Sequence, residues 1–166
     1  YQKIGRYLAE VNVKKIDLSV GRVDVVFEIN EGLLLVVKNI NFIGNKIFSD
    51  SELKSKISTK EDAWYKFFGS NKFIPERLEY DKEILKTFYN ERGFADFKVK
   101  IARGDLLPDL SGFNLNIIVE EGNRYLINDI NINTKLLDTS SNSLSDKLFI
   151  KKGEYFDSRA LDESKK

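Results

Sequence analysis

The sequence contains no histidine, no cysteine and no methionine among its 166 residues. Their absence excludes thiol nucleophiles, imidazole bases and disulfides, and it removes the usual ligands of zinc and copper sites. Because cysteine is absent, the redox compartment cannot be inferred from the sequence. No paired arrangement of carboxylates offers general acid–base chemistry in their place. We therefore predict a protein that is not an enzyme and that needs no metal or other cofactor.

Net charge and long apolar runs are also nearly absent. The 27 Lys and Arg residues balance 26 Asp and Glu residues, so the formal charge is +1 and no strong field would attract nucleic acid or an anionic membrane. The longest apolar run, Leu33 to Val37, is far shorter than the roughly 20 residues that span a bilayer. The chain begins with Tyr1 inside a patterned segment, so we expect a piece of a longer protein.

Two segments of the sequence repeat at a constant offset of 90 residues. Residues 23–32, VDVVFEINEG, match residues 113–122, FNLNIIVEEG, and both end in Glu-Gly. Every second side chain is apolar, which is typical of a strand with one buried face. The match continues from Ile40 and Phe42 to Ile130 and Ile132. Chance similarity between amphipathic strands is the alternative, but the shared register favours a repeat of two strands around a Glu-Gly turn.

The segment from Leu34 to Gly122 predicts one complete unit with the element order β-α-α-β-β. Ser49 and Glu52 have capping-box spacing before a short first helix. Pro75 suits the first turn of a second helix, and Gly93 suits its C-terminal cap. Three strands with one face under two helices form a two-layer α+β domain with a mixed sheet.

The two ends of the chain are predicted to be parts of the same unit. Residues 1–33 resemble the end of a helix and two strands, and form the C-terminal part of one domain. Residues 34–122 form the complete domain. Residues 123–166 form the N-terminal part of the next domain, with a first strand, a first helix around Leu144 to Phe149 and the start of a second helix. Because each end has what the other lacks, strand pairing between chains could complete a domain, as in swapping.

These patterns resemble POTRA domains, the periplasmic repeats of outer-membrane barrel-assembly proteins. The positions that carry the resemblance are Gly44-Asn45, Leu78, Asp81, Tyr89, Gly93-Phe94 and Glu121-Gly122. The aromatic segment from Ala63 to Gly69 resembles the third POTRA domain of BamA-type assembly factors. By that resemblance the chain holds tandem POTRA repeats: the end of the second, the complete third and the start of the fourth.

The resemblance implies a scaffold in the periplasm of a Gram-negative bacterium, beside the outer membrane. Its partners would be unfolded outer-membrane β-barrel proteins and accessory assembly lipoproteins, with membrane contact only through a barrel outside this sequence. Two alternatives stay open. One is a POTRA module of a two-partner secretion transporter. The other is a nucleic-acid-binding α+β module, although that function would require a basic sheet face and the near-neutral charge speaks against it.

The predicted binding site is an edge strand at about Phe94 to Arg103. In POTRA-like sheets the second strand lies at an edge, where unpaired N–H and C=O groups can pair with an incoming segment. The residues expected to accept a client by strand addition are Asp96, Phe97, Lys98, Val99, Lys100 and Ile101. In this segment Phe97, Val99 and Ile101 alternate with Lys98 and Lys100, so the three apolar side chains are predicted to share one face. Edge lysines also discourage pairing, so a protected edge is the alternative interpretation.

An aromatic segment between the two helices is a second candidate interface, formed by Trp64, Tyr65, Phe67 and Phe68. Aromatic side chains suit interfaces, but in so small a domain they also suit the core beneath the helices, which we favour.

Three carboxylate side chains are predicted to have structural rather than catalytic roles. Asp81 is predicted to form an ion pair on the helix surface with Lys82 or Arg77. Glu31 and Glu121 stand beside turn glycines and are predicted to support those turns rather than catalysis.

Overall fold

The structure is a computed structural model that describes residues 1, 6–62, 71–132 and 148–165. Its elements in chain order are β1 (Glu10–Leu18), β2 (Arg22–Asn30), β3 (Val36–Ile43), α1 (Asp50–Lys56), α2 (Pro75–Asn90), β4 (Lys98–Leu106), β5 (Gly112–Glu120) and α3 (Ser158–Glu163). The described strands form one two-stranded sheet, β1 with β2, and one three-stranded sheet in the order β3-β5-β4.

The central unit confirms the predicted α+β fold with a mixed three-stranded sheet. β5 is the middle strand, parallel to β3 and antiparallel to β4. The helices α1 and α2 cover one face of the sheet. Buried apolar side chains from both layers form the core: Val37, Ile40, Phe42, Leu53, Ile57, Leu78, Leu85, Phe88, Tyr89, Phe113, Leu115, Ile117 and Val119. Burial of each such side chain contributes about 1.5–3 kcal/mol, so this layer contact is the main stabilising feature of the fold.

The ends of both central helices follow the predicted local chemistry. The Ser49 hydroxyl accepts a hydrogen bond from the backbone N–H of Glu52 at 3.3 Å, which satisfies one free donor at the start of α1. Pro75 opens α2, where a missing N–H has no consequence. Gly93 follows α2 with φ +97°, a backbone angle that side chains with a Cβ rarely adopt.

In the hairpin of β1 and β2, β2 has the position that the repeat predicts, but no described segment covers the hairpin. β2 and β5 are both nine residues long and start 90 residues apart. The glycines that follow them, Gly32 and Gly122, both have positive φ. On β2 the apolar face remains open, and Phe27 is 61% exposed. The division of the chain into residues 1–33, 34–122 and 123–166 remains a prediction.

The C-terminal segment differs in part from the expectation. α3 begins at Ser158, capped by the Asp157 carboxylate, as predicted for the start of a second helix. The expected first strand is wrong for residues 123–132, where only an isolated bridge joins Leu126 to Tyr155. A strand of this type is stabilised by a neighbour such as β5, and no described segment supplies one. The helix expected from Leu144 to Phe149 lies largely outside the described residues.

Candidate functional site

The candidate site is the outer edge of β4. The strand pairs with β5 on one side, and it is the last strand of the described sheet, which confirms the predicted edge. Within the described ranges, the backbone hydrogen bonds of β4 go to β5 alone. β4 begins at Lys98, four residues later than Phe94, where the strand was expected to start.

Two of the six expected site residues precede the strand. Phe97 is only 3% exposed, and its ring stacks on the ring of Tyr89 with centroids 3.9 Å apart. Its N–H bonds the carbonyl oxygen of Phe94 in the turn after α2. The carboxylate of Asp96 accepts a hydrogen bond from the Tyr125 hydroxyl, and this bond raises the pKa of Tyr125. Phe97 is therefore a core residue, and Asp96 connects this turn to the following segment.

The expected alternation along β4 is interrupted by a β-bulge. The register with β5 shifts between Val99 and Ile101, so Lys100 is an extra residue on the β4 side. Val99 and Ala102 consequently pack against the core, whereas Ile101 is 46% exposed on the other face. The prediction that Ile101 shares a face with Val99 is wrong.

The opposite edge of the sheet, β3, is closed from Val37 to Ile40 by the protein's own chain. The N–H of Val37 donates to the Asn71 carbonyl at 2.7 Å, and its carbonyl accepts from the N–H of Asp62 at 2.7 Å. Farther along the strand, the N–H of Ile40 donates to the carboxylate of Glu61 at 2.8 Å. These bonds occupy the groups that an incoming strand would need.

The segment that closes β3 is held by a polar cluster at Asp62. Its carboxylate accepts hydrogen bonds from Lys38 at 2.9 Å and from the Asn71 side chain at 2.8 Å. These bonds, first that from Lys38, lower the pKa of Asp62. The closed edge thus depends on residues on β3 and on both sides of residues 63–70.

Two of the basic side chains on β4 form ion pairs with nearby carboxylates. Lys100 contacts Glu120 on β5, and the hydrogen bond from Lys100 lowers the pKa of the Glu120 carboxyl. Arg103 lies 3.3 Å from Asp105 two residues along the same strand. Both pairs neutralise charge beside the edge without occupying the outward backbone groups of β4.

On the face of the sheet opposite the helices, side chains of the three strands line up in rows that run across β3, β5 and β4. One row is apolar and joins Ile43, Ile118 and Ile101. The rows beside it are polar: Asn41 donates to Asn116 at 3.1 Å, and Asn116 donates to Asp105 at 2.8 Å. The open face therefore changes from apolar to polar along the length of the strands.

Two buried carboxylates near the site have structural roles. Asp81 has no exposed surface and accepts the N–H groups of Ser58 and Thr59 at 2.5 and 3.0 Å, so the predicted surface ion pair is wrong. Glu121 accepts the Tyr89 hydroxyl at 2.9 Å and backbone N–H groups of residues 46 and 47, so its role is structural, but at the turn after β3 rather than at Gly122. Burial of Tyr89, followed by its bond to Glu121, raises the pKa of the phenol.

The other residues singled out from the sequence lie away from the β4 edge or outside the described residues. Glu31 lies 3.1 Å from Arg6, beside the turn where it was predicted to act. The aromatic candidates Trp64, Tyr65, Phe67 and Phe68 lie outside the described residues. Among the residues that the structure does describe, no acidic cluster has the composition of a metal site. None of the helices in these ranges has the length and apolar character needed to cross a membrane.

A known protein family matches the central unit of the chain. The sequence model of POTRA, described as "Surface antigen variable number repeat", matches residues 35–122. The chain belongs to the POTRA family. The matched residues hold the three-stranded sheet and the two helices that cover it.

Solved POTRA structures have the same fold. POTRA domains 3–5 of BamA from Haemophilus influenzae superpose with a TM-score of 0.58 at 16% identity, over 98% of this chain and 61% of that one. BamA from Haemophilus ducreyi lacking POTRA domains 1–3 gives a TM-score of 0.57 at 20% identity, over 78% of this chain and 23% of that one. At such identities the likeness shows the fold alone.

Curated relatives are outer-membrane protein assembly factors. BamA from Buchnera aphidicola is 28% identical over 137 residues, which are 82% of this chain and 22% of that protein. A putative assembly factor from Treponema pallidum is 36% identical over 137 residues, 80% of this chain and 16% of that protein. The POTRA chain thus spans about a fifth of the length of the first relatives. It is a BamA-type POTRA module, and such modules are periplasmic parts of outer-membrane proteins.

Proposed function

We propose that this POTRA chain is a non-catalytic scaffold module of an outer-membrane protein assembly factor. In this role it binds extended segments of unfolded β-barrel proteins by strand addition at β4. The names of the relatives support the assembly role. The difference between the two edges of the sheet is the observation that supports β4 as the binding strand.

The edge difference matters because strand addition uses backbone groups. On β3, the groups at Val37 and Ile40 are already bonded to residues 61, 62 and 71. On β4, the described residues supply no such cover, so its outward N–H and C=O groups are available to a client. Backbone hydrogen bonds contribute about 0.5–1.5 kcal/mol each and do not depend on side chains, which suits a scaffold with many clients.

The bulge and the lysines of β4 fit a site that binds reversibly. Both features are also used to discourage permanent edge pairing. Lys100 is the extra residue of the bulge, so it locally disrupts the ladder that a long client strand would form. A client would then pair with short regular stretches and dissociate readily, as a protein that passes its clients onward requires. Accessory assembly lipoproteins, or β4 of a second chain, could occupy the same edge.

Photocrosslinking in cells that express the full-length protein tests the proposal. A photoreactive amino acid at Arg103 on β4 should capture unfolded β-barrel proteins. The matched control is Asn41, which is also exposed and also pairs with Asn116, but lies on β3 next to the closed part of that edge. Equal capture at both positions, or capture at Asn41 alone, would contradict strand addition at β4.

Proline substitution provides a second, independent test of backbone pairing. The N–H groups of successive strand residues point in opposite directions, so Ala102→Pro and Arg103→Pro differ in which hydrogen bond they remove. Loss of an N–H that bonds β5 should disrupt the sheet, whereas loss of an N–H that points away from β5 should not. The variant that keeps the folded circular dichroism spectrum is therefore the one that has lost an outward-pointing N–H. In that variant, client crosslinking from a neighbouring β4 position should fall strongly; full retention would argue for side-chain recognition instead.

A further inference from the structure

We propose that the β4 edge selects strands that alternate between apolar and acidic residues. The apolar side chains would lie beside Ile101 on the open face, and the acidic ones would face a groove between α2 and β4. This inference rests on the proposed strand addition and adds a preference for one class of client. It follows from the different surfaces that border the two faces of a strand added at β4.

The groove lies directly beside the start of β4 on its helix side. It encloses about 230 Å³ and is lined by Lys82, Glu83, Lys86, Phe97, Lys98 and Val99. The two apolar residues belong to the core surface, since Phe97 is buried and Val99 packs against the core. The groove therefore has an apolar base and a charged rim.

The rim carries excess positive charge. Lys82 and Lys86 on α2 face one glutamate, Glu83, whereas Lys98 is paired across the ladder with Glu120, on the face opposite the core. Lys82 is bonded to Glu79 at 2.7 Å, one helical turn earlier on α2. In the described part of the chain, Lys86 forms no ion pair within 4 Å, whereas Lys98 lies opposite Glu120, whose carboxyl pKa is lowered by Lys100 and also by Lys98. A carboxylate placed here would meet the uncompensated ammonium group of Lys86 above apolar surface, where the attraction is screened less than in open water.

The other face of an added strand would meet the isoleucine row. Ile101, Ile118 and Ile43 lie side by side across the three strands, and both outer members are exposed. A client side chain next to Ile101 would extend this row by one position. Apolar and β-branched neighbours stabilise such cross-strand pairs, whereas a charged group there would lose solvent without gaining a partner.

The two preferences are compatible in a single strand. Successive side chains of a strand point to opposite faces, so a residue beside Ile101 is flanked by residues that face the helix side. Strands of outer-membrane barrels alternate between lipid-facing apolar and lumen-facing polar residues. The charge of the groove favours those segments whose lumen-facing residues are acidic.

Binding of two matched peptides tests this preference. Both are ten-residue strands with identical apolar positions; the intervening residues are Glu in one and Lys in the other. The Glu peptide should bind the folded protein at least about tenfold more tightly in fluorescence anisotropy at low salt, with the difference decreasing as salt is added. A Lys86→Gln variant should reduce this ratio, and a Lys82→Gln/Lys86→Gln double variant should bring it close to one.

The control is Lys56→Gln, which removes an exposed lysine from a different groove, one that lies between α1 and α2 and is not lined by β4, and should leave the ratio unchanged. If both peptides bind equally and crosslink at Arg103, the acidic preference is wrong but strand addition survives. If neither peptide crosslinks at Arg103, the proposed function itself fails. If Lys56→Gln changes the ratio of the two peptide affinities as much as Lys86→Gln does, the preference comes from the overall charge of the protein. That result would overturn the proposed role of the groove.

Discussion

Replacement of Glu121 by alanine should destabilise the central unit by about 4 kcal/mol. One carboxylate oxygen accepts the Tyr89 hydroxyl, and the carboxylate also accepts the N–H groups of Lys46 and Ile47. Tyr89 is fully buried, so the loss of its partner costs about 1–3 kcal/mol. The two backbone N–H groups belong to exposed residues and can bond water, so each loss costs about 0.5–1.5 kcal/mol.

Urea unfolding followed by far-ultraviolet circular dichroism measures this change. Tyr89→Phe removes only the hydrogen bond to Glu121 and should cost about 2 kcal/mol, because a charged acceptor strengthens that bond. The Glu121→Ala/Tyr89→Phe double variant should lose about 4 kcal/mol rather than 6, since either change alone removes the shared bond. The m-value should stay constant if all variants unfold from the same native state.

Two results would refute this interpretation of Glu121. A loss below about 1 kcal/mol for Glu121→Ala would mean that water replaces the carboxylate at all three donors. Strict additivity of the two single changes would mean that the Tyr89–Glu121 bond contributes nothing to stability. The pair Glu120→Ala and Glu121→Ala is the matched comparison, because Glu120 is exposed and its ion pair with Lys100 lies at the surface.

Three further predictions concern other positions of the fold. Gly44→Ala should lower the free energy of unfolding by more than about 3 kcal/mol, because its φ is +95° and an added Cβ would lie 2.2 Å from the Val119 carbonyl oxygen. Gly21 also has a positive φ, but an added Cβ there would meet open space, so Gly21→Ala should cost about 1 kcal/mol in the same urea assay. Asp81→Asn should lower the free energy of unfolding by about 2 kcal/mol because an amide offers only one oxygen to two N–H donors, whereas a surface ion pair would give almost no change. Above pH 10 unfolded Tyr89 ionises while the folded residue stays protonated, so wild-type stability should fall with rising pH more steeply than that of Tyr89→Phe; parallel pH profiles would contradict the raised pKa.

The candidate edge was partly predictable from the sequence. The presence of an edge strand containing Lys98 and Val99 followed from their alternation and from the POTRA resemblance, and the structure confirms the edge. The start of the strand was misplaced, because the turn after α2 includes Phe97, whose apolar side chain fits a strand pattern as well as a turn. The bulge at Lys100 was missed, since residue alternation has no local signal for an extra residue.

The closed state of β3 could not be read from its own sequence. Its groups are bonded to Glu61, Asp62 and Asn71, which follow α1 and have no helical or strand periodicity. Without that closure, both edges of the sheet would be equivalent candidates for client binding. Asp81 shows the same limit: the sequence offered Lys82 and Arg77 as partners, but the folded chain brings the backbone of residues 58 and 59 to the carboxylate.

The sequence by itself determined the elements of this protein and their order. Strand alternation in β5, the helix start at Pro75 and the turn at Gly93 depend on neighbouring residues, so local chemistry suffices to predict them. Tertiary structure alone decided which edge stays open and which carboxylates are buried. Those outcomes depend on groups far apart in the chain that meet only when the helices pack on the sheet, and it is their packing that leaves β4 as the available edge.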